Sequence, residues 1–199
     1  VRRNNFFYTG SGSWVFIEVW LIDKKIEWKP QNSWIPCPPN CDKCIGACPT
    51  GSLCEAYTMN RASCVSALTT WIGDDLINNP YSRQMGGWVY GCDACQDVCP
   101  HNKGKWSEEK DFPGLDQLAA AIDLEKILAM DYDFLEKVIQ PKFWYIAKDR
   151  VWKWKVNALN AMLNGFEPRY LWALKSAGAG PDERGRQMAA HVLRMLEEK

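Results

Sequence analysis

The sequence predicts an α+β protein in which a cysteine-rich module is followed by a stack of helices, and three observations carry that prediction. Nine cysteines stand in the 199 residues, all of them between Cys37 and Cys99. After "FPGLD" the composition shifts to helix formers, with apolar residues at helical spacing. Ahead of the cysteines, "NNFFYT", "GSG" and "SWVFIEVWLI" read as strand, turn and strand.

That amino-terminal β-hairpin is the first element. Two strands alone are marginal in water, so residues 1–35 are read as the end of an upstream α/β domain and the chain as the carboxyl-side part of a larger protein. Lysine and arginine total 24, as do aspartate and glutamate, so no strongly charged surface imposes a nucleic-acid or membrane partner. The stretch "WVFIEVWLI" is too short to span a bilayer and contains Glu18. The opening "VRRNNFF" has two arginines, but no uninterrupted apolar region with a small-residue cleavage site follows. A cytoplasmic protein without a membrane partner is expected, in reducing surroundings that keep thiols and clusters intact.

Residues 36–112 are the second element. Disulfides suit the cysteines poorly, because their number is odd and no secretion signal is visible. Zinc is a fairer rival: Cys41 and Cys44 with Cys92 and Cys95 make two C-x-x-C knuckles. That site leaves Cys37, Cys48, Cys64 and Cys99 idle. Iron–sulfur ligation employs them, since Cys41, Cys44 and Cys48 before Pro49, and Cys92, Cys95 and Cys99 before Pro100, follow the bacterial ferredoxin run whose last cysteine crosses to the other cluster. The reading is therefore a ferredoxin-like module with two 4Fe-4S clusters. Crossed ligation gives Cys37, Cys41, Cys44 and Cys99 to one cluster. Cys48, Cys92 and Cys95 go to the other, where Val89 occupies the position of a further cysteine and Cys64 from "NRASCVSALTTW" completes the set. Cys54 is left over and is expected to be a small buried thiol near the cluster. Three residues, "PPN", separate Cys37 from Cys41 where the pattern has two; if Cys37 is no ligand, Cys54 is the reserve.

Residues 113–199 are the helical element. "LDQLAAAIDLEKILAM" and then Trp144, Ala147, Val151, Trp154, Ala158 and Met162 follow one helical stripe. "EPRYLWALKSAGAGPDERGRQMAAHVLRML" reads as one HEAT-like pair, helix, Gly-Pro turn, helix. With Trp154 in the stripe, Trp152 is expected on the opposite face with Lys148 and Lys155. There it forms either a surface for an RNA strand, by stacking and phosphate contact, or a solvated face covered by a neighbouring domain.

Three remaining features have two readings each. Gly86, Gly87 and Gly91 let backbone N–H groups approach sulfur, or simply turn the chain. His101 is a hydrogen-bond partner of a cluster sulfur or an ordinary surface histidine, and His191 sits in a helical pattern as packing. Trp88 and Tyr90 shield a cluster or belong to the core.

With "CPPNCDKCIGACPTGS", "CVSALTTW" and "YGCDACQDVCPHN" in hand, the chain resembles the epoxyqueuosine reductase family of double-cluster iron–sulfur proteins. The resemblance extends from "RRNNFFYTGSGSWVFIEVWLID", which looks like the family's Gly-Lys-Asn loop and following strands, to "KVNALNAMLNG", similar to its Arg-Asn-Ala-Ala helix. It implies the same crossed ligation, and a two-electron reduction of an epoxide on the modified wobble guanosine of tRNA. It also implies cobalamin, held between an amino-side domain and the cluster domain, and a proton-donating Asp in that amino-side domain, so no catalytic residue is assigned here. The extra residue in "CPPNC" and "RRNN" in place of Gly-Lys-Asn depart from the family pattern. No dinucleotide fingerprint or Gly-rich phosphate loop is present, so electrons are expected from a reduced ferredoxin or flavodoxin. A ferredoxin-like electron-transfer protein serving another corrinoid or redox partner is the alternative reading.

Overall fold

The computed structural model describes residues 3–27, 36–105 and 113–198. Regular structure among them is helical, which corrects the α+β expectation. The amino-terminal hairpin is not formed: Thr9 and Gly12 make one isolated bridge that closes a tight turn. Among the described residues no strand pairs with residues 15–22, and Phe16 is 78 %, Val19 87 %, Trp20 76 % and Leu21 100 % exposed. A two-stranded ribbon has no sheet face to bury by itself, and alternating apolar residues cannot supply one.

The chain divides into two compact units. The first takes the described residues of Val1–Met59 and Asp93–Lys110 and carries two short helices, α1 (Lys43–Ala47) and α3 (Ala94–Asp97). Both follow a Cys-Asp dipeptide in register, Asp42 and Asp93 standing at the helix starts, so the repeated cysteine motif is also repeated in local structure. The two helices pack on each other.

The second unit gathers Asn60–Cys92 with the described residues of Asp111–Lys199. Contacts thus place residues 60–92 with the helices, whereas the boundaries read from sequence fall at 35 and 112. Here α2 (Val65–Ala67) widens into a π-helical turn, Leu68–Ile72, and α4 (Leu115–Ala121), α5 (Leu124–Ala129), α6 (Tyr132–Phe134), α7 (Lys153–Asn164), α8 (Tyr170–Gly178) and α9 (Glu183–Glu197) follow. The apolar stretch "LDQLAAAIDLEKILAM" breaks into α4 and α5 because Asp123 caps α5, accepting the Lys126 N–H at 2.8 Å. The expected final pair forms as α8 and α9, joined by the Gly-Pro turn and capped by Asp182, which accepts the Gly185 N–H at 2.6 Å.

Helix α7 is the centre of this unit. One side meets α8, α9 and the 60–92 segment through Val156, Leu159, Met162 and Leu163, and another meets α5 and the 135–151 region through Trp154 and Ala158. A helix enclosed this fully needs its polar residues satisfied by neighbours. Asn157 donates to the carbonyls of Thr69 and Val89, both at 2.8 Å. Asn160 donates to Ser82 O at 3.0 Å, and Asn164 to Ser82 O at 2.8 Å and Gly86 O at 3.1 Å. These residues, three and four positions apart, form one polar stripe that fastens an irregular loop to a regular helix. Lys153, fully buried, extends it to Gly73 O at 2.5 Å.

Trp152 departs from the sequence expectation. It is 8 % exposed and belongs to the larger apolar cluster, with the Arg184 guanidinium 4.1 Å from the ring centre. The helical stripe was expected to run from Trp144, yet α7 starts at Lys153; Trp144 and Ala147 lie outside it and are exposed. The face assigned to Trp152 by helical geometry therefore does not exist.

Candidate metal centre

Four thiols of the first unit surround one pocket. Cys37, Cys41, Cys44 and Cys99 line one small pocket together with Arg3, Asn4, Lys43 and His101. The unusual "PPN" spacer is absorbed by a turn: the Cys41 N–H bonds back to Pro38 O at 3.2 Å and Asn40 takes a left-handed φ of 57°. Proline presets the turn and asparagine tolerates the left-handed region, so the extra residue is accommodated and Cys37 still lines the pocket. Helix α1 carries Cys44 inward to 8 % exposure. Burial raises the Cys44 thiol pKa, and the neighbouring Cys37 and Cys41 add to the rise through charge repulsion.

This donor set fits a 4Fe-4S cluster. Each thiolate of such a cluster meets a different iron, so the sulfurs ring a pocket and need not converge on one ion. Among the described residues no three His, Cys, Asp or Glu side chains close on a single-ion geometry. Arg3 and Lys43 at the pocket offset the negative charge that bound thiolates bring.

A framework of buried polar residues holds these ligands, and sequence reading did not single it out. Arg3 Nη1 donates to Cys41 O at 3.0 Å. Asn4, 2 % exposed, donates to Cys95 O at 3.1 Å and to the Tyr8 hydroxyl at 2.9 Å. Ser13 N donates to Asn102 Oδ1 at 2.9 Å, Asn102 Nδ2 returns to Ser13 Oγ at 2.7 Å, and Ser13 Oγ donates to Gln96 Oε1 at 2.7 Å. Cys99 is buried within this framework, its N–H bonded to Gln96 O at 3.1 Å and its carbonyl to Asn102 N at 2.9 Å. Polar residues crowded among aromatics and glycines in "RRNNFFYTGSGS" are the one available signal.

The remaining cysteines are placed as follows. Cys48, with Sγ 3.9 Å from Thr50 Oγ1, and Cys95 belong to the first unit. Cys64, at the start of α2, and Cys92, packed against the larger apolar cluster, belong to the second. Cys54 is exposed and does not line this pocket, which corrects the expectation of a buried thiol; its Sγ lies 3.9 Å from Thr58 O. His101 lines the pocket and meets Tyr8 edge-on at 6.3 Å.

In the second unit, Gly91 has a φ of +67° and its N–H bonds to Thr69 Oγ1 at 3.0 Å, one residue before Cys92. Tyr90 stacks on Trp154 at 5.3 Å and Trp88 packs on the apolar cluster, so both aromatics serve the core. Lys148 is exposed, whereas Lys155 is half-buried with its ammonium 4.9 Å from the Tyr132 ring centre. With Trp152 buried, these three residues do not form the expected stacking face. His191 shares a contact with Arg194 on α9 at 3.2 Å, and burial lowers its pKa.

Comparison with known proteins agrees with this geometry. Residues 37–102 match the family of the 4Fe-4S double cluster binding domain. Epoxyqueuosine reductase of Synechococcus sp. (strain CC9605) is 26 % identical over 181 residues, 91 % of this chain and 50 % of that protein. The Prochlorococcus marinus (strain NATL2A) enzyme is 35 % identical over 103 residues, 51 % of this chain and 32 % of that one. The chain thus spans half or less of these relatives' length. A crystal structure of selenomethionine-labelled epoxyqueuosine reductase covers all of this chain with 55 % of its own, at a TM-score of 0.69 and 24 % identity. A structure of epoxyqueuosine reductase with an epoxyqueuosine-modified tRNA-Tyr stem loop does the same at 0.67 and 24 %. Among the described residues no helix is long and apolar enough to cross a membrane. Residues 37–102 are similar to the 4Fe-4S double cluster binding domain, and the chain resembles epoxyqueuosine reductases in sequence and in fold.

Proposed function

We propose that this chain is the cluster-bearing part of an epoxyqueuosine-reductase-like oxidoreductase that passes electrons through two 4Fe-4S clusters. The observation that carries the reading is the ring of Cys37, Cys41, Cys44 and Cys99 around one pocket, inside a segment that matches the double-cluster domain. Cys48, Cys64, Cys92 and Cys95 are the proposed ligands of the second cluster, on the ferredoxin-like spacing of the two motifs. When bound, the clusters supply one-electron carriage at potentials set by charge and by hydrogen bonds to sulfur.

The chain's own residues hold that site in shape. Arg3 and Asn4 pin the Cys41 and Cys95 carbonyls, the Ser13–Gln96–Asn102 network fixes the backbone around Cys99, and Arg3 and Lys43 balance thiolate charge. The family resemblance of the sequence supports cobalamin as electron acceptor, and the neighbour bound to an epoxyqueuosine-modified stem loop supports tRNA as partner. The lack of a dinucleotide fingerprint favours a reduced ferredoxin or flavodoxin as donor, and cluster chemistry favours a reducing cytoplasm. No residue of this chain is assigned to the corrin or to RNA.

Putting this chain in place of the carboxyl-side part of an epoxyqueuosine reductase, in a bacterium otherwise lacking the enzyme, tests the reading, with tRNA nucleosides measured by mass spectrometry. Queuosine replacing epoxyqueuosine is the expected result for the chimera, while the 199 residues alone are expected to carry clusters without turnover. Persistent epoxyqueuosine beside an iron-loaded chimera would assign the clusters to another redox partner.

A further inference from the structure

Two cysteines of the helical unit are joined by a short path of hydrogen bonds. Cys64 stands at the start of α2, and its carbonyl accepts the Leu68 N–H at 2.9 Å, where the π-helical turn Leu68–Ile72 begins. The next residue, Thr69, is fully buried. Its hydroxyl donates to Ser66 O at 3.0 Å, which leaves the lone pairs of the oxygen to accept. They accept the Gly91 N–H at 3.0 Å, one residue before Cys92. Gly91 has a φ of +67°, a left-handed bend that glycine takes without steric cost. Asn157 closes the other side, its amide donating to Thr69 O and to Val89 O, both at 2.8 Å. The far end of the turn is equally fixed. Gly73 N–H bonds to Leu68 O at 3.2 Å, a Cβ on Gly73 would overlap that oxygen, and Lys153 Nζ holds Gly73 O at 2.5 Å.

Metal binding that must first order its ligands loses free energy to the ordering. Cys64 and Cys92 come from separate stretches of chain, and the second cluster proposed above takes a thiolate from each. The Thr69–Gly91 bond ties the backbone that carries Cys92 to the turn that begins at Cys64, and both cysteines stay half-buried there. We propose that Thr69 is a positioning residue for the second cluster: its hydroxyl, with Asn157 behind it, holds Cys92 in register with Cys64, so that the helical unit offers two ligands already ordered. This role rests on the two-cluster reading and acts through the backbone, since Thr69 itself is no ligand.

The test is iron release to a chelator from the anaerobically reconstituted 199-residue protein, from Thr69→Val and from Thr69→Ser, with electron paramagnetic resonance following each cluster signal. Valine keeps the shape and removes the acceptor, whereas serine keeps the hydroxyl. Losing a residue that orients a metal ligand costs about 10–100-fold in metal affinity, so Thr69→Val should release one cluster faster by about that factor while the other keeps its rate. Thr69→Ser should release both as the unaltered protein does. In a Cys37→Ala/Cys99→Ala background, which keeps only the second cluster, Thr69→Val should accelerate all of the iron. Unchanged rates in Thr69→Val overturn the proposal, as does an equal acceleration of both clusters, which marks a general loss of stability. If Thr69→Val fails to fold by circular dichroism, Asn157→Ala decides, because it unties Thr69 O from Val89 O and leaves the hydroxyl in place. Selective release of one cluster then supports the role, and equal behaviour of both overturns it. An unaltered protein that never takes up about eight irons brings down the two-cluster reading and this role with it, and iron analysis tells that failure from the failure of Thr69 alone.

Discussion

The side-chain amide of Asn157 lies 2.8 Å from the carbonyl of Val89, three residues before Cys92, and the same amide reaches Thr69 O at 2.8 Å. One buried side chain on the central helix thus holds a helical turn and a stretch of loop at once. Replacing Asn157 with Ala leaves two carbonyls without donors, and each orphaned buried group costs about 1–3 kcal/mol. Urea unfolding followed by tryptophan fluorescence should show a loss in that range or above. A change under about 0.5 kcal/mol, the size of an ordinary surface substitution, would show that the loop holds itself.

Lys153 gives the helical unit a pH dependence of defined sign. Burial, reinforced by the charge of Arg150, pushes its ammonium down from the ordinary lysine range to about 7. The unfolded chain keeps that proton up to the ordinary lysine value, so between the two it binds more protons than the folded chain, and stability rises with pH there. Below pH about 7 both states are protonated and the burial penalty is present in full. Denaturation of the native protein and of Lys153→Met from pH 6 to 10 should therefore yield curves that diverge, the native gaining. Parallel curves would place the lysine's titration elsewhere.

Gly12 is required by the framework behind Cys99. Its φ is +81°, and a Cβ there would sit 2.5 Å from Asn102 Oδ1, the atom that accepts the Ser13 N–H. Backbone strain of about 1–3 kcal/mol and the displaced network should both appear in Gly12→Ala. The expected readout is lower unfolding free energy and faster loss of iron to a chelator, with Gly10→Ala, where a Cβ meets nothing within 4 Å, as the quiet comparison.

Burial of Trp152 separates packing from surface chemistry. Trp152→Ala should cost about 3–5 kcal/mol, as large-to-small core changes do, while Lys148→Ala, fully on the surface, should stay within about 0.5 kcal/mol. Thermal unfolding of the two variants side by side checks both values. A stable Trp152→Ala protein would return that ring to the surface.

The cysteine pattern was legible because ligand spacing is a local property, written within a few residues of chain. The N-cap at Asp123 is equally local, yet it was not read, and "LDQLAAAIDLEKILAM" passed for one stretch. The framework was not, since Asn4 finds Cys95 91 residues away and Ser13 finds Asn102 89 residues away, and no periodicity encodes such partners. Trp152 was misplaced because 3.6-residue spacing continues through a segment that is not α-helical until Lys153, with only a 3-10 turn at Lys148–Arg150 before it. The hairpin pattern in 4–22 was clear, yet alternation states only which side chains want cover, and no covering face occurs among the described residues of this chain.

The measurement that bears most directly on the centre is iron and sulfide per chain in the anaerobically reconstituted protein and in the double variant Cys37→Ala/Cys99→Ala. Two four-iron clusters with these cysteines on the same one give about eight irons, falling to about four in the variant, with one cluster signal surviving. Loss of both clusters would put Cys37 and Cys99 on different ones and contradict the pocket they share; zinc in place of iron would contradict the centre altogether.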